Sequence, residues 1–396
     1  MVRLYKDGNH LVCISGLVRY KKLLCHGRSL RRHIDHFMYI FFFVGGSKNP
    51  SRKSPFVTYF QVFKMATKWG IASSGLISHD FVNAISILPA ADHQVVAVAA
   101  RALDSAQTFA NTFKIPKAYQ GYDSLVSDPE VEVVYVGATN PAHFPIAKLM
   151  LEGGKHVLCE KPLCMNMKET TELIELARQK NLFLMEAIWS RCLPAYQAVE
   201  NEIKKGSIGE VKNVIVTFGK KIEAARLHTK ELGGGTVLDL GVYCVQLASL
   251  AMGKVAPEKV IAGGHLGPGG VDESTSATVL YSGNRTATLV TSSQVDLFDE
   301  AYIVGTKGTI KVCYPMWTPT EIETPGGIQS WVLPTGNILP FNYGNGGNMS
   351  FEAQHVRECL LNGLKESPLI SLNETLIIAQ IMQDIRTQSG VVYPQD

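Results

Sequence analysis

The stretch Lys155-His156-Val157-Leu158-Cys159-Glu160-Lys161-Pro162 decides how this chain folds. Its apolar part predicts a central strand of a sheet, and a glycine-rich turn, Gly70 to Gly75, lies about ninety residues upstream. The carboxyl ends of parallel strands form the ligand crevice of a doubly wound sheet, so Lys161 would point its ammonium at whatever the glycine turn holds. The proline fixes the backbone there and can form a cis peptide bond. This pairing of lysine and glycine turn indicates an oxidoreductase.

The 396 residues are enough for two domains. Apolar segments alternate with segments of helical period over residues 68–185, which predicts a Rossmann-type parallel sheet in an NADP-binding domain of residues 65–188. Further on, short segments rich in Val, Thr and Ile recur between turn residues. We expect residues 189–396 to form an α+β substrate domain with a large open, mostly antiparallel sheet. Two late helices, 350–361 and 373–388, should pack back against the body. The predicted fold class is α/β.

Charge divides the chain into two unequal parts. Residues 1–64 hold 12 Lys and Arg against 2 Asp and Glu, whereas residues 65–396 hold 26 against 33. The acidic balance of the larger part argues against a nucleic-acid partner, because phosphate contacts need a clustered basic face. The basic extension is expected to be poorly ordered. It is either an arginine-rich targeting segment, as a mitochondrial role would require, or an upstream extension read through to an internal start at Met65. We favour the second because the extension lacks a convincing amphipathic period.

The cysteine pattern indicates a reducing compartment. Eight cysteines are scattered without paired spacing, and four residues separate Cys159 from Cys164, too many for a redox or zinc CxxC motif. We therefore predict free thiols and a cytoplasmic protein. The longest apolar run of the extension, Phe37 to Val44, is too short to span a bilayer. We therefore expect no membrane partner. No cluster of His, Cys, Asp and Glu has metal-ligand spacing, so no metal is expected either.

The glycine turn and the end of the second strand predict a dinucleotide site. Gly70-Ile71-Ala72-Ser73-Ser74-Gly75 follows a strand and opens a helix, where backbone amides can meet a pyrophosphate. Because Ala72 replaces the middle glycine, the motif alone fits an ordinary tight turn equally well. Arg101 stands where NAD-binding proteins carry a carboxylate, and its planar cation suits a 2′-phosphate, although it could also be an exposed arginine at a strand end. We predict NADP, held by Gly70, Ala72, Ser74, Gly75, Leu76, Arg101, Thr139, Asn140, Glu160 and Lys161.

Asp239 and Tyr243 are the candidate partners of Lys161 in catalysis. They lie four residues apart on the helix predicted after Gly233-Gly234-Gly235, so they share one face. Such a pair is common on any half-buried helix, and it indicates a catalytic role only because Lys161 is available beside it. An ammonium beside a phenol lowers the phenol pKa from about 10 toward working pH. Tyr243 can then serve as general base for an alcohol proton, while Asp239 orients the substrate hydroxyl or Lys161.

Three further residues are candidates for the substrate pocket. His143 follows the fourth strand, and it either contacts substrate or caps the helix that begins there. Trp189 and Phe218 would build an apolar wall beside the nicotinamide, although aromatic residues near strand ends are more often part of the core.

The glycine turn, Asn140-Pro141-Ala142-His143, Glu160-Lys161-Pro162 and Asp239-Leu240-Gly241-Val242-Tyr243 occur in this order, and residues 65–396 resemble the glucose-fructose oxidoreductase and inositol dehydrogenase (Gfo/Idh/MocA) family. The resemblance implies NADP-linked oxidation of trans-dihydrodiols of aromatic hydrocarbons to catechols and of D-xylose to its lactone. It places Lys161 at the family's active-site lysine and Tyr243 where most members carry a catalytic histidine. It also implies a homodimer formed through the open face of the second sheet.

Two residues depart from the pattern of the relatives. Asn140 stands where mammalian relatives carry histidine, which bears on substrate preference, and Ser105 replaces a second arginine near the 2′-phosphate, which weakens NADP selectivity. The alternative function is a non-catalytic NADP-binding regulator or sensor of the same fold. The presence of both Lys161 and Tyr243 argues against it.

Overall fold

The computed structural model describes residues 2–7, 10–15, 37–43 and 59–396, with side chains from Met65 onward. The chain divides into two compact units, one up to Ala66 and one from Thr67 to Asp396. The first unit contains an antiparallel sheet of strands β1 (Val2–Asp7), β2 (His10–Ser15), β3 (Phe37–Phe43) and β4 (Tyr59–Lys64). The other residues of the basic extension lie outside the described ones, so its expected lack of order stays a prediction.

The second unit begins with the predicted parallel sheet, in which six strands have the order β10-β9-β8-β5-β6-β7. The central strands are buried on both faces, as all four residues of Val133–Val136 show, because helices cover both sides of a parallel sheet. The strands are β5 (Thr67–Ala72), β6 (His93–Ala100), β7 (Lys117–Gln120), β8 (Val133–Val136), β9 (His156–Glu160) and β10 (Leu184–Ala187). The helices are α1 (Leu76–Ile85), α2 (Leu103–Phe113), α3 (Asp123–Ser127), α4 (Asn140–Glu152) and α5 (Met167–Lys180).

The remainder of the unit is built on an eight-stranded sheet of order β12-β13-β14-β11-β15-β16-β17-β18. Every neighbouring pair is antiparallel except β11 with β14, which is parallel. The predicted fold class is therefore confirmed. The strands are β11 (Val211–Gly219), β12 (Lys259–Leu266), β13 (Asp272–Tyr281), β14 (Arg285–Ser292), β15 (Ala301–Gly305), β16 (Gly308–Val312), β17 (Glu321–Thr324) and β18 (Gly327–Ser330).

The helices of this part are α6 (Pro194–Lys204), α7 (Ala225–His228), α8 (Val242–Ala251), α9 (Met349–Leu361) and α10 (Leu372–Gln388). Of these, α6, α8 and α10 pack against strands of the sheet. The last helix is capped by Ser371, whose hydroxyl accepts the Glu374 N–H at 3.2 Å, and it packs against α8, β12 and α5. The contacts of α10 with α5 and of α9 with α1 tie the carboxyl-terminal helices to the parallel-sheet part.

One helical stretch among the described residues, which ends with α8, is both long and apolar. Lys230–Ala251 is long and apolar enough to cross a membrane by length and composition, with a mean hydropathy of 1.3. Its apolar window is wholly buried within the protein, which is typical of the core helix of a globular fold. The stretch contains a π-helical turn, Val237–Gly241, a feature that often marks functional positions.

Six cysteine side chains fall among the described residues, and all of them are free thiols: Cys159, Cys164, Cys192, Cys244, Cys313 and Cys359. The prediction of free thiols is confirmed for these six. The side chains of Cys13 and Cys25 lie outside the described residues.

Candidate active site

Lys161 follows directly on the last residue of β9, at the carboxyl edge of the parallel sheet. Its bond to Pro162 is cis, as the proline allowed. The ammonium reaches across to the second sheet domain, where Nζ donates to the Asp239 carbonyl oxygen at 2.9 Å and to Asp239 Oδ1 at 3.0 Å. The structure thus brings together two residues that are 78 positions apart in the sequence.

Glu160, the last residue of β9, fixes the backbone of this lysine. It is buried, and its carboxyl accepts the Tyr135 hydroxyl at 2.6 Å and the Lys161 backbone N–H at 3.2 Å. Burial raises the pKa of Glu160, and the neighbouring Lys161 ammonium opposes that rise. The residue therefore fixes the end of β9 and the start of the turn that carries Lys161.

Asp239 lies in the π-helical turn and holds one cation on each carboxyl oxygen. Lys161 Nζ lies 3.0 Å from Oδ1, and Arg226 NH1 lies 3.0 Å from Oδ2. Burial alone would raise the pKa of Asp239, but the two cations outweigh it and hold the pKa well below its usual range. Asp239 is therefore an ionised carboxylate at the base of the crevice.

Tyr243 stands on the next turn of the helix, beside Lys161 and Trp189. Trp189 Nε1 donates to the Tyr243 hydroxyl at 2.9 Å, and Lys161 Nζ lies 5.0 Å from the centroid of the tyrosine ring. Burial, and then the Glu160 carboxyl, raise the pKa of the phenol well above its usual value, and the hydrogen bond from Trp189 only partly offsets this. The expected lowering of this pKa by Lys161 is therefore wrong for this arrangement. The ammonium faces the ring and is engaged by Asp239.

An aromatic wall adjoins Tyr243. The rings of Phe218 and Trp317 are stacked, with centroids 4.1 Å apart and an interplanar angle of 8°, and Phe218 lies 5.8 Å from the Tyr243 ring. Trp189 and Phe218 thus lie beside Tyr243, where an apolar substrate wall was expected. Trp317, in the irregular segment between β16 and β17, completes the wall and was overlooked in the sequence.

His143 does not face this site. It is 1% exposed, and its two ring nitrogens lie 2.8 Å from the Pro162 carbonyl oxygen and 3.1 Å from the Ala138 carbonyl oxygen. Burial lowers its pKa, against the effect of these two contacts. The expected contact of His143 with substrate is therefore not supported. The histidine joins the first turn of α4 to the turn after Lys161 and positions both.

The amino end of α1 is open toward solvent. Ser73 adopts a left-handed conformation with φ 91°, and Gly75 caps the helix without a side-chain hydrogen bond or an acidic residue in the first turn. Ser74 and Gly75 are not buried, so the backbone N–H groups of this turn can meet an anion. A helix end of this kind fits the pyrophosphate of a dinucleotide.

Two of the predicted cofactor residues, Gly70 and Ala72, pack in the core of the parallel sheet. Gly70 and Ala72 lie within β5, and Ala72 is fully buried. A Cβ on Gly70 would lie 2.8 Å from Val131 Cγ1, so this glycine allows close packing behind the strand. Their assignment as cofactor contacts is corrected accordingly. The other predicted residues of this motif, Ser74, Gly75 and Leu76, lie at the open amino end of α1, and Leu76 is exposed.

The remaining cofactor candidates lie along the same edge of the sheet. Arg101 directly follows β6 and is exposed, as is Ser105 in the first turn of α2. Thr139 precedes α4 and is exposed, and Asn140 Nδ2 donates to the Gly233 carbonyl oxygen at 2.9 Å. Gly233 has φ 70°, and a Cβ there would lie 2.8 Å from Asn140 Cβ, so the two segments approach as closely as glycine permits. Asn140 therefore links the two domains at Gly233.

Within residues 65–396, no group of three or more His, Cys, Asp and Glu side chains could hold a metal ion. The reactive groups that the structure assembles are one lysine, one carboxylate and one phenol, and the amino end of α1 lies at the same carboxyl edge of the parallel sheet as the lysine. This combination defines a dehydrogenase or reductase that uses a nicotinamide dinucleotide.

Comparison with known sequences agrees with this class. Residues 67–188 match the family described as oxidoreductase family, NAD-binding Rossmann fold, and residues 196–311 match the GFO/IDH/MocA C-terminal domain. The chain is 48% identical over 331 residues to trans-1,2-dihydrobenzene-1,2-diol dehydrogenase of Xenopus tropicalis, which covers 83% of this chain and 100% of the relative. The human enzyme of the same name is 42% identical over 335 residues, 84% of this chain and 99% of that one. The protein belongs to the Gfo/Idh/MocA family of oxidoreductases.

Solved structures show the same fold. The 3-ketoreductase KijD10 from Actinomadura kijaniata, in complex with NADP and TDP-benzene, has a TM-score of 0.68 at 24% identity and covers 82% of this chain and 98% of its own. Levoglucosan dehydrogenase, in complex with NADH and levoglucosan, has a TM-score of 0.70 at 20% identity with the same coverage. The family match gives an NAD-binding Rossmann fold, and one of these two neighbours holds NADP while the other holds NADH.

Proposed function

We propose that this protein oxidises trans-dihydrodiols of aromatic hydrocarbons to catechols, and D-xylose to its lactone, with NADP as hydride acceptor. The observation that carries the proposal is the meeting of Lys161, Asp239 and Tyr243 at the carboxyl edge of the parallel sheet. Relatives whose whole length the chain matches are named for dihydrodiol oxidation, which supports the first substrate class. D-xylose rests on the family resemblance and on a site that combines charged groups with aromatic rings.

The bound dinucleotide supplies the hydride acceptor of this reaction. The turn from Ser73 to Gly75 would hold its pyrophosphate, because Ser74 and Gly75 lie at the amino end of α1, which has no side-chain cap. Arg101 would hold the 2′-phosphate of NADP, since it is exposed at the end of β6 and carries the planar cation that phosphate binding favours. Ser105 offers no second cation there, so we expect NADP to be preferred while NAD is still used.

In our mechanism Tyr243 exchanges a proton with the substrate hydroxyl, and Lys161 stabilises the negative charge that develops on the same oxygen. Asp239 holds the lysine in place through two contacts of its ammonium. Since the phenol pKa is raised, Tyr243 is protonated at neutral pH and is a proton donor in the reductive direction. Oxidation requires it to lose that proton first, so oxidation should accelerate as the pH rises.

The aromatic wall suits a planar substrate. Phe218 and Trp317 present stacked rings beside Tyr243, and Trp189 fixes the phenol through its indole N–H. A dihydrodiol ring would lie against these faces, with its hydroxyl groups toward Lys161 and Asp239. The Asn140 amide N–H donates to the Gly233 carbonyl oxygen, so we propose that Asn140 joins the two domains next to the substrate.

The open face of the second sheet is our proposed homodimer interface. Ile215, Ile261 and Tyr302 are all more than a third exposed and lie in one row across the strands, since Ile215 pairs with Tyr302 directly and connects to Ile261 through Thr288 and Thr278. Large apolar side chains exposed together on one sheet face favour association with a second surface. Light scattering coupled to gel filtration should give twice the chain mass, and Ile215→Lys should give the monomer.

We place the protein in the cytoplasm, because its described cysteines are free thiols, as a reducing compartment favours. A fluorescent fusion of residues 1–64 tests this placement. Diffuse fluorescence supports it, and import into mitochondria contradicts it.

The activity is tested by following nicotinamide reduction at 340 nm with the chain from Met65, offering NADP or NAD and either benzene trans-dihydrodiol or D-xylose. Turnover with NADP that exceeds turnover with NAD supports the proposal, and Arg101→Ala should reduce that preference. The Tyr243→Phe variant, measured with each combination of cofactor and substrate, shows whether turnover depends on the phenol. Tight NADPH binding without turnover of any substrate would instead favour a non-catalytic regulator of the same fold.

A further inference from the structure

The proposed mechanism uses only one of the two cations bound to Asp239. Lys161 occupies Oδ1 and Arg226 occupies Oδ2, each at 3.0 Å. The two cations differ in exposure, since the Lys161 side chain is 14% exposed and the Arg226 side chain is 41% exposed. Arg226 therefore stands on the solvent side of the carboxylate, from which a substrate would enter.

The backbone of Arg226 is held in place by the triple glycine. The Gly235 N–H donates to the Leu227 carbonyl oxygen at 2.8 Å. A Cβ on Gly234 would lie 2.5 Å from the Leu227 carbonyl oxygen and 2.8 Å from that of Arg226, so only glycine allows this approach. Helix α7 is thus pressed onto the turn that leads into Asp239, and the arginine has a fixed position beside the carboxylate.

A loop on the opposite side brings Tyr343 to Arg226. The buried Asp80 of α1 accepts the backbone N–H groups of Asn342 at 2.9 Å and of Tyr343 at 2.8 Å, which ties this loop to the cofactor helix. Burial raises the pKa of the Tyr343 phenol, and Arg226 opposes that rise. Arg226 therefore has Asp239 on one side. On the other side it has a loop that is tied to α1, the helix whose amino end would bind the dinucleotide.

The free donors of this arginine match a hydroxyl group. A guanidinium carries five N–H donors in a planar fork; Asp239 engages NH1, and the Tyr343 hydroxyl takes part in a further hydrogen bond. A hydroxyl can accept from another of these donors while it donates to a remaining lone pair of Asp239. Lys161 and Tyr243 already address the hydroxyl that is oxidised. The Arg226–Asp239 pair is thus available to the hydroxyl next to it.

We infer that Arg226 is a specificity-determining residue that, with Asp239, binds the hydroxyl adjacent to the one oxidised. The inference rests on the proposed function and names the substrate class of its site: compounds with two neighbouring hydroxyl groups. Both proposed substrates have this feature. A trans-dihydrodiol carries the second hydroxyl on the neighbouring ring carbon, and D-xylose carries it on carbon 2.

The test compares D-xylose with 2-deoxy-D-xylose, the same sugar without the hydroxyl on carbon 2, as substrates of unaltered enzyme, Arg226→Met and Arg226→Lys. A hydrogen bond to a charged group predicts that unaltered enzyme prefers D-xylose by about 10- to 100-fold in kcat/KM. Arg226→Met should lose most of that preference, chiefly by a lower kcat/KM for D-xylose. Arg226→Lys keeps a charge beside Asp239 without the planar fork, so its preference should fall between the two.

Two measurements accompany the kinetics. NADPH binding and the unfolding midpoint show whether each variant is folded, and Arg178→Met, on the exposed side of α5, is the matched control that should behave as unaltered enzyme. If Arg226→Met does not fold, the reduced preference of Arg226→Lys still decides the question.

Three outcomes would overturn the inference. An unchanged preference in both Arg226 variants, with normal turnover by unaltered enzyme, overturns it alone and leaves the proposed function intact. A loss confined to NADP affinity also overturns it, because Arg226 would then hold the cofactor. Absence of turnover by unaltered enzyme with every substrate overturns the proposed function and this inference with it.

Discussion

Glu186 permits a quantitative test of the buried framework behind Lys161. It lies in β10 beside Cys159 of β9 and is 2% exposed. Its Oε1 accepts the Leu163 backbone N–H at 2.9 Å, in the turn that follows the lysine. Burial raises the pKa of Glu186 from 4.5 to about 7, and the hydrogen bond from Leu163 offsets this only in part. Above neutral pH the folded protein therefore contains a buried carboxylate that the unfolded chain would ionise more easily.

The size of the effect follows from the difference in pKa. A rise from 4.5 to about 7 corresponds to about 3 kcal/mol, since one pKa unit is worth about 1.4 kcal/mol. Because the folded state binds this proton more tightly than the unfolded state, the penalty is absent below pH 4.5, grows as the pH rises to about 7 and is constant above that. Glu186→Gln keeps an oxygen for Leu163 and cannot ionise. We expect the variant to gain up to about 3 kcal/mol over unaltered protein at pH 8, relative to their difference at pH 4.5.

Urea unfolding followed by tryptophan fluorescence at pH 5, 6, 7 and 8 measures this gain. The matched control is Glu175→Gln, at an exposed position of α5, which should show no trend with pH. A free-energy difference between Glu186→Gln and unaltered protein that does not change from pH 5 to pH 8 would refute the reasoning, because it would mean that Glu186 titrates alike in the folded and unfolded states.

Three further predictions concern the site itself. Trp189→Phe removes the N–H that positions the Tyr243 hydroxyl, and steady-state kinetics should show kcat for oxidation reduced by about 10-fold with KM for the cofactor unchanged. The rate of oxidation by unaltered enzyme should rise with pH up to at least about 10, because the phenol of Tyr243 must ionise; Tyr243→Phe should lack this rise, and a flat profile in unaltered enzyme contradicts the assignment. Glu352 is fully buried and neither carboxyl oxygen has a hydrogen-bond partner among the described residues, so it is neutral. Glu352→Gln should therefore keep kcat/KM within about twofold, whereas Glu352→Ala should lose about 2 kcal/mol or more of stability in urea unfolding through the cavity it leaves.

Much of the fold could be predicted because buried strands have a simple signature. Parallel strands covered on both faces are continuous apolar runs, as Val133–Val136 shows, and these runs stand out in any sequence. The edge strand Lys117–Gln120 has no such run, since three of its residues are only half-buried and the fourth is exposed, and it was overlooked. The same holds for the helix Asp123–Ser127, which is a single short turn.

The site was predictable only as far as motifs fix position along the chain. Lys161, Asp239 and Tyr243 were found because each ends a strand or follows a glycine turn. Motif position does not show which way a residue faces. For that reason Gly70 was assigned to a ligand contact, and the two alternatives for His143, substrate contact or helix cap, could not be separated.

Residues that reach the site through tertiary packing left no signal in the sequence. Arg226 lies at the site because Gly234, which has no side chain, lets the backbone of α7 pack closely against it. Tyr343 lies there because Asp80 binds its loop to α1. The direction of the Tyr243 pKa was also beyond reach, because it depends on burial and on the engagement of the lysine by Asp239.

The central claim is that the ammonium of Lys161 stabilises the charge that develops on the substrate oxygen. Its most direct test is the turnover of Lys161→Met with NADP and benzene trans-dihydrodiol, with NADPH binding measured on the same preparation. The account predicts a loss of about 100- to 1000-fold or more in kcat, as for removal of a charge-stabilising donor, while NADPH still binds. Turnover close to that of unaltered enzyme in this variant would contradict it.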